Sequence, residues 1–171
     1  LGLCMVQSHR AEAAVREWAH ARGHVPERLT VKPSFGNIIV WRGLYVQNGM
    51  CQVVCVRAGI TAGTRVLGTD SEPLLDPAHP VPPLTALPAD SVQARDVPRF
   101  QHFSDGWLGV HPDHPNVIGD LRYATRPDVI KPLWGIVIDP AHPEKHVQVA
   151  TFRDVTDQGF GDLWKMITDA W

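Results

Sequence analysis

Residues 38–57 read IIVWRGLYVQNGMCQVVCVR and hold the clearest structural pattern of the chain. Two runs rich in Val, Ile, Trp and Tyr, which are typical of β-strands, flank the pair Asn48-Gly49. Both residues of that pair tolerate a positive φ, which a two-residue turn between antiparallel strands requires. The pattern therefore predicts a β-hairpin of Ile38–Gln47 and Met50–Arg57, with its turn at Asn48-Gly49.

Further strand-like and helical segments lie on both sides of this hairpin. A segment rich in Ala, Arg and Glu predicts a helix over Leu3–Arg22, and apolar residues at helical spacing predict another over Asp157–Trp171. We predict the other strands at Arg28–Lys32, Phe100–Val110, Val117–Tyr123, Leu133–Ile138 and Val147–Arg153. Short links between consecutive strands favour antiparallel pairing. The expected fold is α+β, a mainly antiparallel sheet of about seven strands flanked by an N-terminal and a C-terminal helix.

A proline-rich stretch separates the two groups of strands. Residues 73–98 hold seven of the 15 prolines, whose fixed φ and missing N–H oppose a continuous helix or a central strand. We predict a surface connection there, with one helical turn around Asp90–Arg95. Neither side of the connection looks like a complete core, so the expectation is one domain over residues 1–171.

Composition limits the kind of partner and the cysteine chemistry. Lys and Arg number 16 against 18 Asp and Glu, so the chain lacks the broad basic field typical of nucleic-acid binding, and we expect no nucleic-acid partner. The three cysteines form no CxxC pair. Cys51 and Cys55 alternate with apolar residues along one predicted strand, which favours buried structural thiols over nucleophiles.

The densest group of histidines lies in the segment His111-Pro112-Asp113-His114-Pro115. Imidazole and carboxylate groups are suitable zinc ligands, so His111, Asp113 and His114 are the candidate metal ligands. Two prolines favour an open loop, however, and no HExxH helix accompanies the segment. A solvated turn is the favoured alternative.

Two polar clusters interrupt strands that are otherwise apolar. Asn37 and Arg42 form one cluster, and Asp120 and Arg122 form the other. Arginine binds carboxylates or anionic ligands through paired hydrogen bonds, which makes these four residues candidates for ligand binding. The alternative is a network of ion pairs that fixes the strand register. The patterns of serine hydrolases, P-loops and dinucleotide-binding folds are absent from the sequence.

Four short motifs carry a family resemblance. They are Q-x-x-R-A (Gln7–Ala11), P-S-x-G-N-x-x-x-W-R (Pro33–Arg42), F-x-x-F-S-x-G (Phe100–Gly106) and D-L-R-Y (Asp120–Tyr123). Together they resemble the soluble C-terminal domain of the YdjM-like membrane-bound metal-dependent hydrolases of the bacterial inner membrane. The resemblance implies that transmembrane helices and the histidine motif that holds any divalent metal precede this region, so we expect no cofactor in the 171 residues themselves.

The resemblance also implies a place in the cell. Residues 1–6 would be the end of a preceding transmembrane helix, although an ordinary N-terminal helix packed on a sheet explains this stretch equally well. Arg10, Arg16 and Arg22 suggest the cytoplasmic face, because basic residues are more frequent on that side. The expected partners are the membrane, through the preceding segment, and a small molecule or a protein.

Two functions follow as expectations. The first is a non-catalytic accessory or binding domain of a membrane-bound metal-dependent hydrolase. The alternative is a hydrolase domain that contributes its own groups, with His102 and Asp105 as an acid–base pair while Arg42 and Arg122 clamp an anion. The alternative requires these four side chains to converge in one pocket.

Overall fold

A computed structural model describes residues 2–34, 36–60, 63–76 and 81–152 of the chain. These residues form two compact units. The first unit comprises residues 2–72 and Thr125–Ile130, and the second comprises Pro73–Ala124 and residues 131–152. The predicted helix Asp157–Trp171 lies outside the described residues. The prediction of a single domain stays a prediction.

In the first unit, one helix and four strands follow each other along the chain. Helix α1 spans Gly2–His20, and the strands are β1 (Arg28–Pro33), β2 (Val40–Gln47), β3 (Met50–Ala58) and β4 (Thr64–Pro73). They form one sheet in the order β1-β2-β3-β4. The hairpin prediction is confirmed: Gln47 pairs with Met50, and the turn residues Asn48 and Gly49 have φ values of 52° and 73°.

The second half of α1 packs on this sheet. Ala11, Ala14, Val15 and Ala19 are buried against residues of β2 and β3, including Trp41 and Val54. Small side chains on this helix face allow a close approach. Gly43 of β2 is one point of close approach, because a Cβ there would lie 2.4 Å from a methyl carbon of Val15.

The second unit is a separate helix-and-sheet assembly. It contains a short 3₁₀ turn at Leu84–Ala86, helix α2 (Val92–Phe103) and strands β5 (Leu108–His111), β6 (His114–Asp120), β7 (Trp134–Val137) and β8 (Gln148–Thr151). The strands form an antiparallel sheet in the order β5-β6-β7-β8. Val97 and Phe100 of α2 belong to a buried cluster with Leu108, Ile118 and Ile136.

The α+β class is confirmed, but the strand arrangement differs from the prediction. The described residues form two sheets of four strands, where we expected one sheet of about seven. Strand β4 was missed because its sequence, TRVLGTDSEP, contains Gly68, Pro73 and charged residues that are depleted in strands. Its neighbour β3 supplies the hydrogen-bonding edge that makes it a strand.

Helix α2 corrects two further predictions. It runs for 12 residues through Pro98, where we expected one helical turn, and it occupies Phe100–Phe103, where we expected a strand. An interior proline removes a backbone hydrogen bond and destabilises a helix. Here the Ser91 Oγ accepts a hydrogen bond from Ala94 N at 3.1 Å and caps the helix. Burial of Val97 and Phe100 offsets the remaining cost.

Candidate functional site

Arg42 is a buried cation in the middle of β2, with only 3% of its surface exposed. Its neighbour Gly43 faces α1, so strand alternation places Arg42 on the opposite face of the sheet. There its guanidinium donates to the Pro127 carbonyl at 3.2 Å and to the Val129 carbonyl. Burial lowers the pKa of Arg42 to about 10, which leaves the side chain charged at neutral pH. The contacts tie residues 125–130 to the sheet.

Asn37 closes the turn that leads into β2. Its Oδ1 accepts hydrogen bonds from Ile39 N at 3.0 Å and Val40 N at 2.7 Å, and its Nδ2 donates to Ser34 Oγ at 3.0 Å. Gly36, just before it, has a φ of 71°, a conformation that glycine adopts without strain. Asn37 thus stabilises the local backbone of this turn.

Asp120 and Arg122 form an ion pair in the second unit. Arg122 Nη2 lies 2.7 Å from Asp120 Oδ2, and Arg122 Nε lies 3.0 Å from Oδ1. The hydrogen bonds that Arg122 donates to the Asp120 carboxylate raise the pKa of Arg122. Arg122 Nη2 also donates to the Phe103 carbonyl at the end of α2, 3.1 Å away. The pair connects the end of β6 with the end of α2.

The candidate acid–base pair lies just beside this connection. His102 is exposed in the last turn of α2, and Asp105 follows the helix with a φ of 51°. The hydrogen bond between the two residues joins Asp105 N to the His102 carbonyl at 3.1 Å, which is a backbone contact typical of a helix end. Arg42 belongs to the first unit, whereas these residues and Arg122 belong to the second.

Of the candidate metal ligands, His111 ends β5, Asp113 lies in the turn after it and His114 begins β6. The rings of His111 and His114 lie 4.7 Å apart, and both contact Phe152. The His111 Nδ1 accepts a hydrogen bond from Asp113 N at 3.1 Å, while the Asp113 carboxylate pairs with Lys131 at 2.7 Å. Burial, followed by the neighbouring His114, lowers the pKa of His111. Within the described ranges, no three His, Cys, Asp or Glu side chains assemble as a metal-binding group.

The motif Gln7–Ala11 also has a structural role. Gln7 is buried, and its Nε2 donates to the Ala58 carbonyl at 2.7 Å. Arg10 donates both to Gln7 Oε1 and to the Gly59 carbonyl, each at 2.7 Å. These side chains attach α1 to the end of β3.

Sequence reasoning missed a histidine–aspartate pair in the second unit. His146 Nδ1 lies 2.9 Å from Asp96 Oδ2, and Val147 N donates to the same oxygen at 3.2 Å. Burial alone would raise the pKa of Asp96, but hydrogen bonds from His146 and Val147 lower it, so the carboxylate is charged. The two residues are 50 positions apart, and no local spacing signals their contact.

Each unit also contains a cavity that the sequence did not indicate. The first, of about 290 Å³, is lined by residues including Trp18, Arg22, Tyr45 and Asp70. There the Arg22 guanidinium lies 3.3 Å above the centre of the Trp18 ring. The second, of about 270 Å³, is lined by residues including His146 and Lys145.

Comparison of the chain with family models, curated proteins and solved structures gave no match. Among the helices of the described residues, none combines the length and the apolar character needed to cross a bilayer.

Proposed function

We propose that this chain is a non-catalytic accessory or binding domain of a membrane-bound metal-dependent hydrolase at the cytoplasmic face of a bacterial inner membrane. The polar side chains of its motifs support the proposal through their contacts. Arg42 holds backbone carbonyls, Asn37 closes a turn, and Asp120 and Arg122 pair with each other. Each of these residues stabilises the fold in a way that needs no substrate.

The observation that carries the proposal is the division of α1 into two parts. Its later turns are buried on the sheet, but Leu3, Met5 and Val6 in its first turns are 51%, 60% and 55% exposed. The first ten residues also contain no Asp or Glu. An apolar helix start without acidic residues suits contact with the acyl chains and anionic headgroups of a bilayer. We therefore assign this surface, the apolar helix start, to the membrane.

Vesicle flotation tests the assignment. The chain is mixed with vesicles of phosphatidylethanolamine and phosphatidylglycerol, and its bound fraction is compared with that of the triple variant L3Q/M5Q/V6Q. Glutamine keeps a helix propensity close to that of leucine and methionine, so α1 should remain intact. Complete burial of these three half-exposed side chains in the bilayer would stabilise binding by about 2 kcal/mol or more in total. The partition coefficient of the triple variant should therefore be at least about tenfold lower than that of the unchanged chain.

The matched control is the double variant V25Q/I60Q. Val25 and Ile60 are exposed apolar residues of the same unit, at 71% and 58%, but they lie outside α1. This control should bind vesicles as the unchanged chain does. Equal binding by the triple variant, or no binding by the unchanged chain, would contradict the membrane assignment. Metal-supported hydrolysis of esters or phosphate esters by the purified chain would contradict its non-catalytic role.

A further inference from the structure

The cavity of the second unit is large enough for a small ligand, and its lining is both polar and apolar. Its polar lining consists of Gln93, Asn116, Asp139, Lys145, His146 and Gln148. A volume of about 270 Å³ corresponds to roughly nine water molecules at about 30 Å³ each. It lies beside β6, β7 and β8, whose antiparallel pairing fixes Asn116 and Gln148 on rigid elements.

Two groups in the lining are already occupied by internal contacts. Gln93 donates to the Asp139 and His142 carbonyls at 2.9 Å each and accepts from Asp139 N at 2.9 Å. The Asp139 carboxylate accepts from Ala141 N at 3.1 Å and pairs with His142 Nδ1 at 2.8 Å. The negative charge in the lining is therefore balanced within the unit.

The remaining polar groups are an ammonium and two amides. In the part of the chain that the structure describes, the side chains of Asn116, Lys145 and Gln148 make no hydrogen bond to one another or to other described groups. Lys145 supplies an ammonium, and each of the two amides supplies N–H donors and one acceptor oxygen. The ammonium and the available N–H donors suit a ligand that carries acceptor oxygens.

His146 is oriented by its contact with Asp96. The side chain of Asp96 is only 10% exposed and is held by Arg99 at 3.1 Å in addition to His146 and Val147. Since the charged carboxylate accepts at 2.9 Å, the proton of His146 is assigned to Nδ1 and Nε2 remains for a ligand. In this tautomer Nε2 carries a lone pair, which accepts a hydrogen bond from the P–OH of a hydrogen phosphate.

We propose that this cavity binds a phosphate group, either inorganic phosphate or the phosphate of a small monoester, through Lys145, Asn116, Gln148 and Nε2 of His146. A tetrahedral phosphate presents acceptor oxygens in several directions, which matches donors that come from different strands and from the loop before β8. The inference goes beyond the proposed function, because it holds whether or not α1 contacts a membrane.

Calorimetric titration with inorganic phosphate and with glycerol 3-phosphate tests this site. Both should bind the unchanged chain, and K145Q and H146Q should each weaken binding about tenfold or more, the effect expected for losing a charge-assisted hydrogen bond. Tighter binding of glycerol 3-phosphate identifies a monoester as the natural ligand class, and equal binding identifies free phosphate. In histidine-selective ¹⁵N spectra, phosphate should shift the Nε2 signal of His146.

Two matched controls keep the test specific. H102Q replaces an exposed histidine of α2 that does not line the cavity, and K32Q removes a positive charge from β1. Both should bind phosphate as the unchanged chain does. K145Q should keep the native thermal transition, since Lys145 makes no side-chain hydrogen bond to the described residues. Absent binding at millimolar phosphate, unchanged affinity in K145Q, or equal losses in H102Q and K32Q would overturn the proposal.

Discussion

Arg42 shows how one residue serves two distant parts of the sequence. A guanidinium buried in a sheet loses its hydration, and the lowered pKa of about 10 reflects that loss. The carbonyls of residues 126, 127 and 129 replace water as acceptors. Those carbonyls lie 84 to 87 positions further along the chain. A single charged side chain therefore fixes a segment that has no regular secondary structure of its own.

The substitution R42M tests this role. Methionine fills a similar volume but donates no hydrogen bond, so the carbonyls lose their donor. We expect the free energy of unfolding to fall by about 2–3 kcal/mol, the range for hydrogen bonds that involve a charged group. Denaturant titration measures the change. The control is K32A, because Lys32 is the cationic residue of β1 that lies opposite Arg42 in the strand register. This substitution should change the free energy of unfolding by less than about 0.5 kcal/mol. Equal losses in both variants would refute the role.

The packing of α1 on the first sheet depends on steric fit between elements. Val15 of the helix lies directly over Gly43 of β2, and the Trp18 ring lies over Gly68 of β4, where a Cβ would approach it to 2.3 Å. Both glycines therefore provide space for a larger side chain of the helix. The alternation of large and small residues across this interface sets the distance between α1 and the sheet.

A double-mutant cycle on Gly43 and Val15 tests the fit. G43A places a methyl against the Val15 side chain and should lower the free energy of unfolding by about 1–3 kcal/mol. V15A creates space at the same point. The double variant G43A/V15A should therefore lose less stability than the sum of the two single variants, by about 0.5 kcal/mol or more. Additive losses, measured by denaturant titration, would show that the two residues are not coupled.

At the scale of the whole molecule, the cysteines distinguish surface from interior. Cys4 is exposed near the start of α1, whereas Cys51 and Cys55 are buried on β3. Burial raises the pKa of each of the two strand thiols to about 12, so neither is a thiolate at neutral pH. The prediction that they are buried is confirmed. The rate at which they react with a thiol reagent therefore indicates whether the sheet stays folded.

A thiol titration with an aromatic disulfide reagent reads out this difference. At neutral pH the native chain should release one equivalent quickly, from Cys4, and all three cysteines should react after denaturation. The C4S variant should show no fast phase but keep the two slow equivalents. Fast reaction of Cys51 or Cys55 in the native chain would mean that the sheet opens readily in solution, contrary to its buried position.

Local sequence patterns were sufficient for much of the first unit. The Asn48-Gly49 turn, the strands on either side of it and the helix before them each depend on interactions within a few residues, such as turn dihedrals and helix propensity. The same holds for Asn37, whose partners are no more than three positions away. The residue types of the candidate site were also visible in the sequence, but their binding partners were not. We expected Arg42 to bind an anion, and it binds backbone carbonyls instead.

The sequence by itself determined the α+β class, the first hairpin, the N-terminal helix and the burial of two thiols, because each follows from a short-range pattern of side chains. Only the tertiary structure decided the division into two sheets, the helix through Pro98 and the pairing of His146 with Asp96. Those features depend on contacts between residues far apart in the chain. At these positions, packing against residues from distant parts of the chain outweighs local propensity. The spacing of residues along the sequence does not indicate such contacts.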